Sequence, residues 1–297
     1  MNQYENTAAN AAKWALSKVG CTYSQAKRAA EQSFDCSSLC DRAYIAQGKK
    51  WLYGGSLPRS NQMVYDDDFT LLWPESYDQI GKAFGTAKIA RLASRPGDLQ
   101  FLCTDRNTNR HNRITHVAMS ADGKRIVHAR GKKFGVCTNA LTHYAGKICA
   151  ITRYDPECTL RIGMKGYRTM ALQKELNTLG ADLVVDGEYG NRTKAAVEQW
   201  QKQNGYKVTG EADTGMLKKL GLLETDATVD RAEQHHELIE ITGNAVNIRK
   251  GPGTSYPSIS KADKGARFEA ADTSGWYAVL LNDDVCWVSK RYSRKAK

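Results

Sequence analysis

The apolar residues of this 297-residue chain change their period twice, and that change limits what the chain can fold into. Up to about Tyr154 helical and alternating patterns are mixed. From about 161 to 223 the spacing is helical, and from about 238 to 293 it is that of short strands broken by turns. Two polar stretches, DPECTLRIGMKG and ETDATVDRAEQHHE, separate the blocks. One core does not accommodate three such patterns, and the length suits two or three domains. The pattern predicts an α+β domain over 1–155, a small all-α three-helix domain over 161–223 and a small all-β barrel over 237–293.

In the first block, NTAANAAKWALSKVG carries apolar residues at helical spacing and ends at Gly20. A second helix is expected from Cys36 to near Gly48. After Pro96-Gly97 come four strand-like runs, DLQFLC, ITHVAMS, RIVHA and KICAITRY. The second block reads as three helices, YRTMALQKELNTLG, NRTKAAVEQWQKQNG and DTGMLKKLGL. Leu172, Leu176 and Leu179 share one face, as do Ala196, Val197 and Trp200, and Gly180 and Gly205 stand at C-cap positions. The third block gives strands in LIEITGNAVNIRKGPGTSYPSI, ARFEAAD, WYAVLL and VCWVSK.

The net charge of +11 is unevenly spread: residues 1–155 hold 22 Lys and Arg against 13 Asp and Glu. A basic first block points to a polyanionic target, either nucleic acid or an acidic polymer such as a bacterial wall. No recognition helix or aromatic RNA-binding signature is present, so nucleic acid is not the expected partner. No run of about 18 apolar residues exists, so no membrane insertion is expected. MNQYENTAANAAKWALSKVG lacks a basic region followed by an apolar one, so no secretory signal peptide is expected. The eight cysteines show no framework spacing, and free thiols are expected.

The stretch SFDCSSLCDRAY places Cys36 at the start of a helix, behind Asp35. Orphan backbone N–H groups and the positive end of the helix dipole favour a thiolate there, so a lowered thiol pKa is expected. Cys40, one turn on, reads as packing. A cysteine nucleophile needs a base, normally His. His116 in ITHVAMS and His128 in RIVHA flank the hairpin signal ADGK. A two-residue Asp122-Gly123 loop would pair His128 with Val117 and send the imidazoles to opposite faces. A three-residue loop, Ala121-Asp122-Gly123, sets His116 directly opposite His128, with Gly123 in the left-handed position, and is the register favoured here. His116 is then the base and His128 the group that orients it. His111, His143, His235 and His236 read as surface residues. Without C-x-x-C or H-x-x-x-H spacing, neither a metal site nor a cofactor is expected.

These pieces resemble, in order, the NlpC-type cysteine peptidases, a papain-like family that cuts peptidoglycan stem peptides. VGCTYSQ, FDCSSLC, GGSLPRSNQM, RPGDLQFL and THVAMSADGKRIVHA carry the resemblance across about residues 10–155. It implies a papain-like fold, Cys36 as nucleophile, His116 as base and His128 as the third member. It implies that Tyr23, Asp35 and Ser37 contact the peptide, sometimes through its free amino end. Two departures bear on which bond is cut: Ser38 stands where the family usually has Gly, and the insert CTDRNTNRHNRI is long and basic.

The second block resembles the peptidoglycan-binding helical domain through ALQKELNTLG, VDGEYGNRTKAAVEQWQ and TGEADTGMLKKL, with the Asp186–Thr193 run as its specific part. The third resembles bacterial SH3-like domains through VNIRKGPGTSYPSI, GWYAVLL and VCWVSK. Trp276, Tyr277 and Trp287 serve either the barrel core or ligand stacking, with core expected for at least one. Together the resemblances imply a cell-wall hydrolase with two wall-binding modules and peptidoglycan, with anionic wall polymers, as partner. The expected reaction is endopeptidase cleavage between D-glutamate and the diamino acid. The alternatives are an N-acetylmuramoyl-L-alanine amidase on the same fold and a non-catalytic wall binder. With no signal peptide expected, a phage or prophage endolysin, made in the cytoplasm and acting at the wall after release, is the expected origin, with a bacterial protein exported by another route as the alternative. The oligomeric state is left open.

Overall fold

The computed structural model describes residues 3–54, 57–93, 95–105, 109–223, 237–251, 253–254, 256–272, 275–281 and 284–296. His235 and His236 lie outside the described residues.

Alanines at helical spacing build α1 (Gln3–Leu16), which buries Ala8, Ala11, Ala12 and Ala15. Two short parallel strands follow, β1 (Thr22–Tyr23) and β2 (Ser33–Phe34). Then comes α2 (Cys36–Ile45), whose inner residues Leu39, Cys40, Ala43 and Tyr44 are fully buried. Short helices α3 (Arg59–Met63) and α4 (Ala87–Ala90) flank β3 (Phe69–Trp73). The four strand-like runs become β4 (Leu99–Leu102), β5 (His116–Ser120), β6 (Arg125–Gly131) and β8 (Ile148–Tyr154). β7 (Gly135–Ala140) completes an antiparallel sheet of order β3-β8-β4-β5-β6-β7.

Several motif residues serve this scaffold. Arg59, from the Leu-Pro-Arg-Ser segment, reaches the fully buried Asp41 of α2 at 3.1 Å. The Pro-Gly-Asp-Leu segment is a corner: the Gly97 carbonyl accepts from the Tyr44 hydroxyl at 2.8 Å, and Asp98 pairs with Arg153 of β8 at 2.6 Å. Gly97 has φ of +93°, and a Cβ there would sit 2.6 Å from the Ala8 carbonyl oxygen, so only glycine lets α1 come this close. Lys49 bridges Asp66 at 2.8 Å and Asp68 at 2.6 Å, so an ammonium already occupies the Asp66-Asp67-Asp68 cluster. All eight cysteines are free, as expected.

These elements make one compact unit, Met1–Trp51 with Leu57–Cys158; the second consists of Leu52–Ser56 and Thr159–Lys297. In the second unit α5 (Tyr167–Thr178), α6 (Asn191–Gln203) and α7 (Thr214–Lys219) follow the helical pattern. Leu172, Leu176, Val197 and Trp200 are buried. Leu179 is not: it is the C-cap of α5 and is 56% exposed, because the helix ends before the apolar face reaches it. Two buried glutamines act as pegs. The Gln173 side chain donates to Asp186 Oδ1 at 2.9 Å and accepts from Gly187 N–H at 2.8 Å, fixing the turn in the Asp186–Thr193 run. Gln201 likewise donates to the Glu211 carbonyl and accepts from Thr209 and Gly210 N–H.

The third block forms β9 (Glu237–Ile241), β10 (Val246–Arg249), β11 (Ser258–Ala262), β12 (Arg267–Asp272), β13 (Trp276–Leu281), β14 (Asp284–Ser289) and β15 (Ser293–Lys295). They join in the order β11-β10-β14-β13-β12-β9-β15. Tyr277 lies in the barrel core beside Ile239, Ile248 and Val288. Trp287 packs with Leu52, Met170 and Val185, with Trp276 at the edge of that cluster.

Candidate active site

Asp35 is the N-cap of α2, with its backbone in the extended region and its carboxylate accepting from Ser38 N–H at 2.7 Å and from the Ser37 hydroxyl at 2.9 Å. The Ser38 hydroxyl in turn accepts from Asp35 N–H at 2.9 Å, closing a capping box. Ser38 is therefore a capping residue. The box fixes where the helix begins, and so fixes Cys36 as its first residue.

The Cys36 thiol does not have the lowered pKa expected at a helix start; it is pushed up to about 11. Burial is the largest cause and the neighbouring Asp35 charge the second. Backbone N–H groups of Val117 and Ser37 and the charge of Arg110 offset only part of this. Although part of the residue reaches solvent, its sulfur sits among protein atoms, where a thiolate loses more hydration than the helix dipole returns. Cys40 is fully buried and is packing, as expected.

The Val117 amide at the sulfur is one residue from His116, the first residue of β5. The hairpin turn sits one position later than in the favoured register, which moves the pairing by two residues. Its turn is Asp122-Gly123-Lys124, closed by Ala121 N–H donating to the Arg125 carbonyl at 2.7 Å. Asp122 Oδ1 accepts from both Lys124 and Arg125 N–H, which draws the turn one position later than expected, with Gly123 (φ +77°) at its centre. Met119 then pairs with Val127 and Ser120 with Ile126. Continued along the ladder, this sets His128 opposite Ala118, so His116 and His128 are diagonal neighbours on one face. The diagonal suffices: His116 Nε2 and His128 Nδ1 are 2.8 Å apart.

A further residue escaped the sequence reading. Asn139 of β7 lies diagonally across from His128, where Ile126 pairs with Asn139 and His128 with Cys137. Its Oδ1 is 2.8 Å from His128 Nε2. The His128 ring is fully buried and meets the edge of Tyr144 at 5.7 Å. Burial holds both imidazoles neutral, lowering the His116 pKa to about 3, with repulsion from His128 adding to it, and lowering that of His128 also.

Of the expected peptide contacts, Tyr23 lies within the field of both Cys36 and Asp35. Asp35 and Ser37 are buried and spend their hydrogen bonds on the cap. The insert after β4 is anchored: Asn61 donates to the His111 carbonyl and Asn112 to the Tyr65 hydroxyl. Arg110, in that insert, has its guanidinium 3.5 Å from the Thr115 carbonyl, next to His116. His143 stacks edge-on against Tyr144 and is exposed.

Residues 20–153 match the model of the NlpC/P60 family, residues 165–220 that of a peptidoglycan binding domain, and residues 244–294 that of the bacterial SH3 domain. No curated protein matches the chain. Among solved structures it is similar to NlpC1 from Trichomonas vaginalis, with 21% identity and a TM-score of 0.35 over 50% of this chain and 44% of that one. NlpC2 from the same organism gives 21% and 0.34 over 52% and 50%. The P60 domain of antigen MAP1204 from M. avium subspecies paratuberculosis gives 20% and 0.33 over 51% and 97%. The chain thus spans half or less of the two Trichomonas proteins.

Proposed function

Since residues 20–153 match the model of the NlpC/P60 family, we propose that this chain hydrolyses an amide bond in the peptidoglycan stem peptide, between D-glutamate and the diamino acid. The observation that carries the reading is the His116–His128 contact at 2.8 Å, beside the strand amide that touches the Cys36 sulfur. Cys36 is the nucleophile, His116 the base and His128 its orienting partner.

Thiol and imidazole both rest neutral, so the sulfur loses its proton to His116 as it attacks the carbonyl rather than beforehand. The same proton goes to the leaving amine, and water then releases the acyl group from the sulfur. Orphan N–H groups in the first turn of α2, that of Cys36 included, stabilise the oxyanion. Tyr23, Asp35 and Ser37 border the peptide on the side of β1 and the α2 cap. The two smaller modules hold the enzyme on insoluble peptidoglycan and raise its local concentration there, and the basic first unit meets anionic wall polymers. Action is at the bacterial wall.

The test is mass spectrometry of fragments that wild type and Cys36→Ala release from purified peptidoglycan. Fragments cut after D-glutamate, absent with the variant, are expected. Free intact stem peptides would instead mean an amidase. Equal release by both proteins, or none by either, would overturn the catalytic reading and leave a wall binder.

A further inference from the structure

His116, His128 and Asn139 lie on a diagonal across β5, β6 and β7, each 2.8 Å from the next through a named pair of atoms. We infer that Asn139 is a positioning residue that sets the tautomer of both histidines and so leaves His116 Nδ1 as the bare, proton-accepting nitrogen. This inference deepens the hydrolase reading above and rests on it.

The reasoning follows the protons. Asn139 presents its amide oxygen to His128, and an amide oxygen only accepts. His128 Nε2 must therefore carry a proton and donate it. In a neutral imidazole the other nitrogen is then bare, so His128 Nδ1 accepts. The donor to it is His116 Nε2, 2.8 Å away. His116, also neutral, is left with an unprotonated Nδ1, and that is what a general base requires. Turning the Asn139 amide over would reverse every bond: its NH2 would donate to His128, and the chain would end with a proton on His116 Nδ1. A histidine in that state cannot take a proton from a thiol. The third side chain of a conventional triad fixes one tautomer. Here the third member is itself an imidazole with two possible tautomers, so it orients His116 only if a further group orients it.

Burial makes the selection effective. Both imidazoles are held neutral, so neither escapes the choice of tautomer by taking a second proton. The Tyr144 edge against the His128 ring keeps its plane in line with both partners. An amide suits this position. A carboxylate would draw a second proton onto His128 and place a cation beside the base.

The experiment is nitrogen NMR of the full chain with ring-15N histidine, at neutral pH and without substrate. The six histidines are assigned by replacing the four outside the pair one at a time. Wild type is expected to show His128 and His116 each protonated at Nε2 and bare at Nδ1. Asn139→Leu, of similar size but with no acceptor, is expected to give a mixture of His128 tautomers. It is also expected to lower kcat about 10- to 100-fold with KM little changed, as losing a partner at an imidazole's far nitrogen does elsewhere. Asn139→Asp, which can only accept, is expected to keep the proton on His128 Nε2. A wild-type spectrum with His116 protonated at Nδ1 would overturn the inference, as would Asn139→Leu with unchanged tautomers and unchanged kcat. The wild-type spectrum decides even if the Leu variant fails to fold. Because it needs no turnover, it also separates this inference from the hydrolase reading, which fails or stands on the fragments released by Cys36→Ala.

Discussion

Replacing Asp35 with Asn removes a charge from beside the Cys36 sulfur while keeping an oxygen where the α2 cap needs one. The thiol titrates at about 11, against an ordinary 9.0. At pH 7.5 its thiolate share is then about 3 in 10,000, where an ordinary thiol has about 3 in 100; the more basic sulfur is about tenfold the better nucleophile, so alkylation is about 10-fold slower. Burial is the larger cause and persists in the variant; the Asp35 charge is the second. Taking the low end of what a neighbouring charge does, the thiol pKa falls by about one and the thiolate share rises about tenfold. A less basic sulfur is also a weaker nucleophile, which returns about a factor of three, so the net acceleration is about threefold. Asn caps a helix about as well as Asp, and Arg28 contacts Asp35 only at 3.6 Å from an exposed position, so stability changes little. The assay is iodoacetamide labelling of Cys36 read by peptide mapping across pH 6 to 11. The rate should climb with pH up to about 11 in wild type and somewhat earlier in Asp35→Asn. A wild-type inflection near 8, or a folded variant labelled no faster than wild type, would refute the claim that burial and Asp35 hold this thiol protonated.

Two further substitutions test the scaffold. Lys49→Ala leaves the carboxylates of Asp66 and Asp68 without the ammonium that bridges them, and should cost about 3–5 kcal/mol in urea unfolding. A loss below about 1 kcal/mol would mean that the carboxylates are neutralised some other way. Gly187→Ala puts a Cβ 2.8 Å from the Gly166 carbonyl oxygen at φ of +74°, and should cost about 1–3 kcal/mol in a melting experiment; an unchanged melt would show that the turn adjusts at no cost.

What the sequence made legible follows from how local each signal is. The start of α2 could be read because a cap is written in four adjacent residues, Asp35 to Ser38. The strand runs from Leu99 to Tyr154 could be read because they alternate or are continuously apolar. The turn moved by one position, and the pairing by two, because Asp122 uses its side chain to close the turn one residue later, a choice between near-equal turns that periodicity does not resolve. Asn139 was invisible for a compounded version of the same reason. Its place beside His128 depends on two registers at once, and GVCTNA shows no clean alternation. The Cys36 pKa was misjudged in sign because the helix start is local and visible, whereas burial is made by residues distant in the chain. Leu179 kept the helical period of Leu172 and Leu176, but α5 stops before it.

The Asp122-Gly123-Lys124 turn is also a point at which activity can be gained or lost in descent. The register it closes sets His116 and His128 on one face. A one-residue slip of that register would carry the two imidazoles to opposite sides of the sheet. An insertion here that the turn did not absorb would part the two imidazoles while leaving Cys36, both histidines and the two smaller modules in place. Whether the two imidazoles can meet is therefore a matter of the β5–β6 register as much as of the presence of both histidines.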